Sequence, residues 1–242
     1  MVEVVIINWK RPHNVAKIVE ALRHQTVSCI ITICDCSVSE EFRLDVQTRS
    51  KVNKIFSSNY NLGGFNRYVP IGSFSETYTL FLDDDILPGK KCIETYLCAA
   101  QKCPDFGVLG QIGRTLLRDN IYRPIDTILG SEFVETDFVI RAYFVKTRYL
   151  YNILKFKWHI GYMETSLIED DLLLCTSMQY YENLSCYLIP FNEDRETLVN
   201  KEELTNEHSL CSREDHYLIR SIFIKRALLY GWMPLHRRKS DD

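Results

Sequence analysis

Asp83, Asp84 and Asp85 stand side by side in the stretch YTLFLDDDILPG, directly after an apolar run. Adjacent like charges repel, and carboxylates are seldom buried unless something pairs with them. A solvated turn in which Asp83 caps the following helix is the plain account of such a triplet. The context argues for more. Residues 80 to 82 are Leu, Phe and Leu, so the first carboxylate leaves a core strand at the rim of a cleft. A hard divalent cation relieves the repulsion at such a place, and such ions commonly bridge protein carboxylates to phosphates. A second acidic triplet, Glu169, Asp170 and Asp171, lies in SLIEDDLLLC, where a helix is expected to begin. Acids at a helix start also interact favourably with the dipole, and for at least one of these three that suffices.

These residues need elements to position them. VEVVIIN, residues 2–8, is short, β-branched and nearly continuously apolar, the pattern of a strand buried on both faces of a parallel sheet. RPHNVAKIVEALRHQ follows with Val15, Ile18, Val19 and Leu22 at helical spacing and Pro12 suited to a first turn. Further strands are expected at residues 29–35, 54–59 and 78–83, with a short polar helix or loop in EEFRLDVQTRS and a helix in GGFNRYVPIGSF. Beyond Pro88 a helix is expected at 90–103, one or two strands in FVETDFVIRAYFVKT, and a helix from Ser166 to Tyr181 carrying Leu167, Leu173, Leu174 and Met178. A late strand in CYLIPF and a long terminal helix complete the pattern. Strands alternating with helices predict an α/β fold, a doubly wound and mostly parallel sheet. Ligands bind beyond the carboxyl ends of such strands. Asn8, Asp35, Asn59 and Asp83 to Asp85 each end a strand, so one sheet edge gathers them.

The 242 residues suffice for one large α/β domain or two small ones, and neither a Gly/Ser-rich linker nor an internal repeat divides them. A hydrophobic content of 46% and a charged content of 25% are those of an ordinary globular protein. The net charge of −3 argues against general attraction to nucleic acid, and the basic stretch in the tail HRRKSDD reads as a solvated terminus. No apolar run reaches membrane-spanning length and the opening MVEVVIINWK has no basic, cleavable leader, so a cytoplasmic location is expected. Nine cysteines lack paired spacing and are expected reduced; the NLS at Asn183 is a glycosylation sequon without a secretory context.

FLDDDILP resembles the D-x-D motif of nucleotide-sugar glycosyltransferases with the GT-A fold, particularly the large inverting family. Asp83 and Asp85 match its acidic positions, which in that family hold Mn²⁺ or Mg²⁺ against the donor diphosphate, with Asp84 beside them. VVIINWKRP resembles the first strand and nucleotide-bordering turn, placing Asn8, Trp9 and Arg11 near base and ribose. ICDCS is similar to the second strand end, whose aspartate, here Asp35, meets the nucleoside. NYNLGGFNRY resembles the segment after the third strand, with Asn61, Gly63, Gly64 and Arg67 on its positions. Each of these alone has an ordinary structural reading; the ordered set does not. IEDDLLLC resembles the Glu-Asp-Asp helix start of inverting members, which makes Asp170 the catalytic base. The size and motif order are also similar to glycosyltransferases that large algal viruses use on their capsid protein.

The resemblance covers about the first three quarters of the chain and implies a single GT-A domain, with residues 1–89 binding the nucleotide sugar and 90–242 the acceptor. A metal-dependent, inverting hexosyltransferase using a UDP-sugar on a glycan or glycoprotein is the implied function, with Mn²⁺ the first choice of ion. His208, His216 or His236 could add a late contact to metal or diphosphate. FVETDFVIRAYFVKT lacks the glycine-rich stretch common before the family's acceptor site, which leaves that pocket open. Two other readings stand: a non-catalytic nucleotide- or glycan-binding module on the same scaffold, and a Mg²⁺-dependent nucleotidyltransferase. The latter usually carries a glycine-rich, lysine-bearing loop after its first strand, and NWKRPHN has no glycine.

Overall fold

A computed structural model describes residues 1–123, 127–128, 132–161, 169–190, 196–197, 199–200 and 213–238. Its first half follows the apolar pattern closely. β1 (Val2–Asn8), β2 (Cys29–Asp35), β3 (Lys54–Ser57) and β4 (Tyr78–Leu82) alternate with α1 (Pro12–Arg23) and the short α2 (Val46–Ser50). The segment expected to be helical after β3 forms tight 3₁₀ turns instead, Gly63–Tyr68 and Ile71–Ser73. Gly63 has a φ of 57°, a left-handed start that glycine tolerates, and Pro70 prevents the two turns from merging.

The second half is built from shorter pieces. After β5 (Leu87–Pro88) come α3 (Cys92–Lys102), β6 (Leu109–Gly110), β7 (Ile112–Arg114), β8 (Thr127–Ile128), β9 (Val134–Thr136), β10 (Phe138–Ile140) and β11 (Ala142–Lys146). α4 (Tyr151–His159), α5 (Asp170–Glu182), β12 (Cys186–Leu188), β13 (Val199–Asn200), α6 (His216–Leu229) and α7 (Leu235–Arg238) complete the order. FVETDFVIRAYFVKT is thus three strands rather than one or two, because Arg141 takes a φ of 75° and redirects the chain between β10 and β11. The expected Ser166 cap and Leu167 lie outside the described residues, and α5 begins at Asp170.

Eight strands form the central sheet in the order β3-β2-β1-β4-β11-β6-β12-β9. β3, β2, β1 and β4 run parallel, and β11 returns antiparallel against β4, giving the mixed, mostly parallel α/β fold. Side chains alternate across β1: Val5 and Ile7 join the core under α4, α5 and α6, while Val4 and Ile6 join the core under α1 and α3. Each fully buried aliphatic side chain contributes about 1.5–3 kcal/mol. The register pairs Asn8 with Asp35 and Asp35 with Ser57, so the strand ends do meet at one edge. β4 stops at Leu82, and Asp83 is the first residue beyond it. Among the described residues no helix is long and apolar enough to cross a membrane. The eight described cysteines are free thiols, and Cys211 lies outside them.

Asp137 ties the end of the chain to the sheet. Its fully buried carboxylate accepts from Leu116 N at 2.7 Å and Leu235 N at 2.6 Å. Asp137→Ala leaves both amides unsatisfied and is expected to lower unfolding free energy by about 2–5 kcal/mol in urea titration, with Asp137→Asn losing less.

Candidate active site

The acidic triplet meets two arginines brought to it by different elements. Arg11, at the start of α1, places Nη1 3.0 Å from Asp84 and 3.2 Å from Asp85. Arg67 places Nη2 2.6 Å from Asp83. The triplet thus has cationic partners, both distant from it in sequence. The reason is the parallel sheet, which sets the turn after β1 beside the turn after β4.

Arg67 also reaches the second acidic triplet. Its Nε lies 3.1 Å from Asp170 Oδ2 and donates to Gly64 O at 3.1 Å, and its guanidinium sits 5.2 Å from the centre of the Tyr143 ring. One buried cation therefore joins the end of β4 to the first residue of α5. Gly64 makes the approach possible: a Cβ there would stand 2.1 Å from Asp170 Oδ1. Tyr68 fixes the helix start from the same turn, its hydroxyl donating to Asp170 O at 3.0 Å. Asp171 points the other way, paired with the buried Arg220 of α6 and accepting from Leu172 N at 2.8 Å. Arg220 in turn lies 4.8 Å from the Tyr122 ring. Tyr68, Tyr143 and Arg220 carry no local signal in the sequence, since their contacts span long separations in the chain.

Burial dominates the electrostatics. It raises the Asp83 carboxyl, with Arg67 opposing the shift. It raises Asp84 to about 7 against the pull of Arg11, and Asp170 to about 7 against that of Arg67. Burial alone would make Arg67 easier to deprotonate, but Asp170 and Asp83 outweigh it and hold the guanidinium charged. Asp170 Oδ2 accepts no hydrogen bond, and Arg67 Nη1 donates none, among the described residues. Asp170 Oδ2 is thus held by its ion pair with Arg67 alone, while Arg67 keeps an unused Nη1 donor beside it.

The other predicted residues fall in two groups. Asn8 and Asp35 are joined at the strand edge, Asn8 Nδ2 donating to Asp35 Oδ1 at 2.9 Å, and Ser37 N reaches the same oxygen at 3.2 Å. Trp9 packs partly buried against the core, with Lys10 Nζ 4.6 Å from its ring centre. Asn61 closes a turn by accepting from Gly63 N at 2.8 Å. His216 is buried in the first turn of α6, stacked edge-on to Tyr217; His236 lies on α7; His208 lies outside the described residues.

Four carboxylates (Asp83, Asp84, Asp85, Asp170) face two guanidiniums (Arg11, Arg67), so when all are ionised the acids exceed the arginines by two charges. Among the described residues no group of three or more His, Cys, Asp or Glu side chains is arranged to hold a metal by itself. An ion of the Mg²⁺ type needs only one or two carboxylates and completes its shell with water and substrate phosphates. Asp83 and Asp85 fit it on those terms.

No protein-family model and no curated protein matches the sequence. Among solved structures the chain is similar to S. aureus TarS, with a TM-score of 0.54 at 15% identity over 80% of this chain and 37% of that one. For S. aureus TarS 1-349 in complex with UDP the TM-score is 0.52 at 15% identity, over 79% of this chain and 60% of that one. For the complex with UDP-GlcNAc it is 0.50 at 18% identity, over 80% and 59%. The chain therefore spans less than two thirds of the length of these structures. The shared feature is the fold, a GT-A-like α/β arrangement.

Because Arg67 is the common partner of Asp83 and Asp170, Arg67→Met is expected to cost about 3–5 kcal/mol of stability. Adding Asp83→Asn and Asp170→Asn should return about half of the loss, since no buried charge is then orphaned. Guanidinium titration of the single and triple variants measures both.

Proposed function

We propose that the protein is a nucleotide-sugar glycosyltransferase that moves a hexosyl group from a UDP-sugar to a hydroxyl of a glycan or glycoprotein, with inversion. The observation that carries the reading is the pairing of a buried carboxylate of raised pKa, Asp170, with an acidic strand end through one arginine. It is supported by a fold shared with structures solved with UDP and UDP-GlcNAc. In this reading residues 1–89 hold the donor and residues 90–242 present the acceptor and the base.

The nucleoside lies at the edge where β1 and β2 end, beside Asn8, Trp9 and Asp35, and the turn carrying Asn61, Gly63 and Gly64 borders the diphosphate. Arg67 turns its unused Nη1 donor to a phosphate oxygen, a charge-assisted contact. Asp83 and Asp85 would hold Mn²⁺ or Mg²⁺, which would supply positive charge to the departing diphosphate. The Asp170 carboxylate accepts the proton of the acceptor hydroxyl as the hydroxyl oxygen attacks the anomeric carbon and the bond to the diphosphate breaks. The Arg67 guanidinium, 3.1 Å from that carboxylate, holds it in place, and Gly64 leaves room for it. Arg67, Gly64 and Tyr68 position the base.

A panel of UDP-sugars and acceptors tests the reading. Asp170→Asn is expected to lower transfer about 10²- to 10⁴-fold with donor binding nearly unchanged, whereas Asp85→Asn weakens donor binding. Because the base works only when unprotonated and burial holds it near 7, kcat/KM should rise as pH climbs through about 7 and level off above. NMR of the product should show β-linked sugar from an α-linked donor. Full transfer by Asp170→Asn would move the base elsewhere, and donor binding without transfer by the wild type would leave a binding module.

A further inference from the structure

Charge is segregated along this chain. Residues 138–163 hold five Lys and Arg and no Asp or Glu, and residues 216–240 hold six and none. All 32 acids fall in the rest of the chain, among the other 18 of its 29 basic residues. The two acid-free segments are distant in sequence but meet in space. Arg226 of α6 donates to Gly161 O at 2.9 Å, just past the end of α4, and the His159 and Tyr230 rings lie 5.6 Å apart.

At that junction the surface is apolar as well as basic. Trp158 is 70% exposed and Leu229 82% exposed. α6 carries the apolar surface along its length. Its outward positions are Leu218, Ile222, Lys225 and Leu229, spaced four, three and four, which is one face of a helix. Its inward positions, among them Phe223, Ile224 and Ala227, are already buried in the core. A helix needs one apolar face to pack on its own fold, and α6 has two.

We propose that the outer face of α6, with Trp158 at the end of α4, docks on an anionic lipid bilayer surface. Aliphatic side chains in a stripe, a tryptophan at the margin and lysines on the same two helices are what insertion at a headgroup boundary uses; the acids Glu214 and Asp215 stand only at the start of α6. A second copy of the chain would bring two basic faces together, which like-charge repulsion opposes. Nucleic acid would meet Leu218, Ile222 and Leu229 with nothing to hydrogen bond. The same helix braces the candidate site from its inner side, through Arg220 and Asp171. Docking would hold that site about one helix diameter, roughly 10–12 Å, from the lipid. The surface stands independently of the proposed reaction.

Co-sedimentation of the full chain with vesicles of phosphatidylcholine containing about 30% phosphatidylglycerol, or of phosphatidylcholine alone, tests this. Binding is expected only to the anionic vesicles and is expected to weaken with salt. Ile222→Glu/Leu229→Glu should lower it about tenfold and Lys225→Glu should weaken it on its own, while Val46→Glu, on exposed α2, leaves it unchanged. Thermal melts identify any variant that fails to fold; Lys225→Glu then carries the test. Wild-type protein left in the supernatant with both vesicles would overturn the proposal. So would equal loss in Val46→Glu, or a dimer by light scattering that the double variant abolishes without any vesicle binding.

Discussion

The arrangement depends on a single buried guanidinium. Arg67 is 5% exposed and touches both acidic segments, Asp83 beyond β4 and Asp170 at the head of α5. Without a cation there, two carboxylates would share a desolvated space, where an uncompensated charge costs several kcal/mol. The 3₁₀ turn that delivers Arg67 also delivers Gly64, whose missing side chain admits the Asp170 carboxylate, and Tyr68, which holds the helix backbone. Three residues within one turn thus set the separation between a strand end and a helix start, Asp83 and Asp170, that the sequence places 87 residues apart.

The cation stabilises this arrangement without neutralising it. Arg11 and Arg67 leave an excess of negative charge, and burial lifts Asp83, Asp84 and Asp170 above the ordinary carboxylate range. Protons and a divalent ion are the two ways to relieve that excess, and they compete. The contrast with Asp171 is instructive. Its partner Arg220 balances it one to one, and that pair serves to brace α5 against α6. Two adjacent aspartates thus sit in different surroundings: Asp171 has Arg220 to itself, whereas Asp170 shares Arg67 with Asp83.

Much of this was legible in the residues. β1 and β2 were read to their exact ends because β-branched apolar runs buried on both faces have few other fates. The edge that gathers Asn8, Asp35 and Asp83 followed from parallel strands. The segment opening with Gly63 and Gly64 was expected to enter a helix, and it forms two 3₁₀ turns that begin from the left-handed Gly63. The triple strand at 134–146 hid behind Arg141, whose positive φ has no signature in residue type. The pairing of Arg11 with Asp84 and Asp85 had no local signal, because the residues are far apart in sequence and meet only through the sheet. Contacts of this kind arise from topology, which local pattern does not encode.

The central claim is that the strand-end carboxylates are completed by a divalent ion only when a nucleotide diphosphate is present. Electron paramagnetic resonance of Mn²⁺ measures it directly, because free aqueous Mn²⁺ gives a sharp spectrum that coordination broadens. With UDP present, about one Mn²⁺ per chain should leave the spectrum beyond what UDP alone removes, and Asp85→Ala should abolish that uptake. A spectrum for the wild type indistinguishable from that of Asp85→Ala, with UDP bound in both, would contradict it.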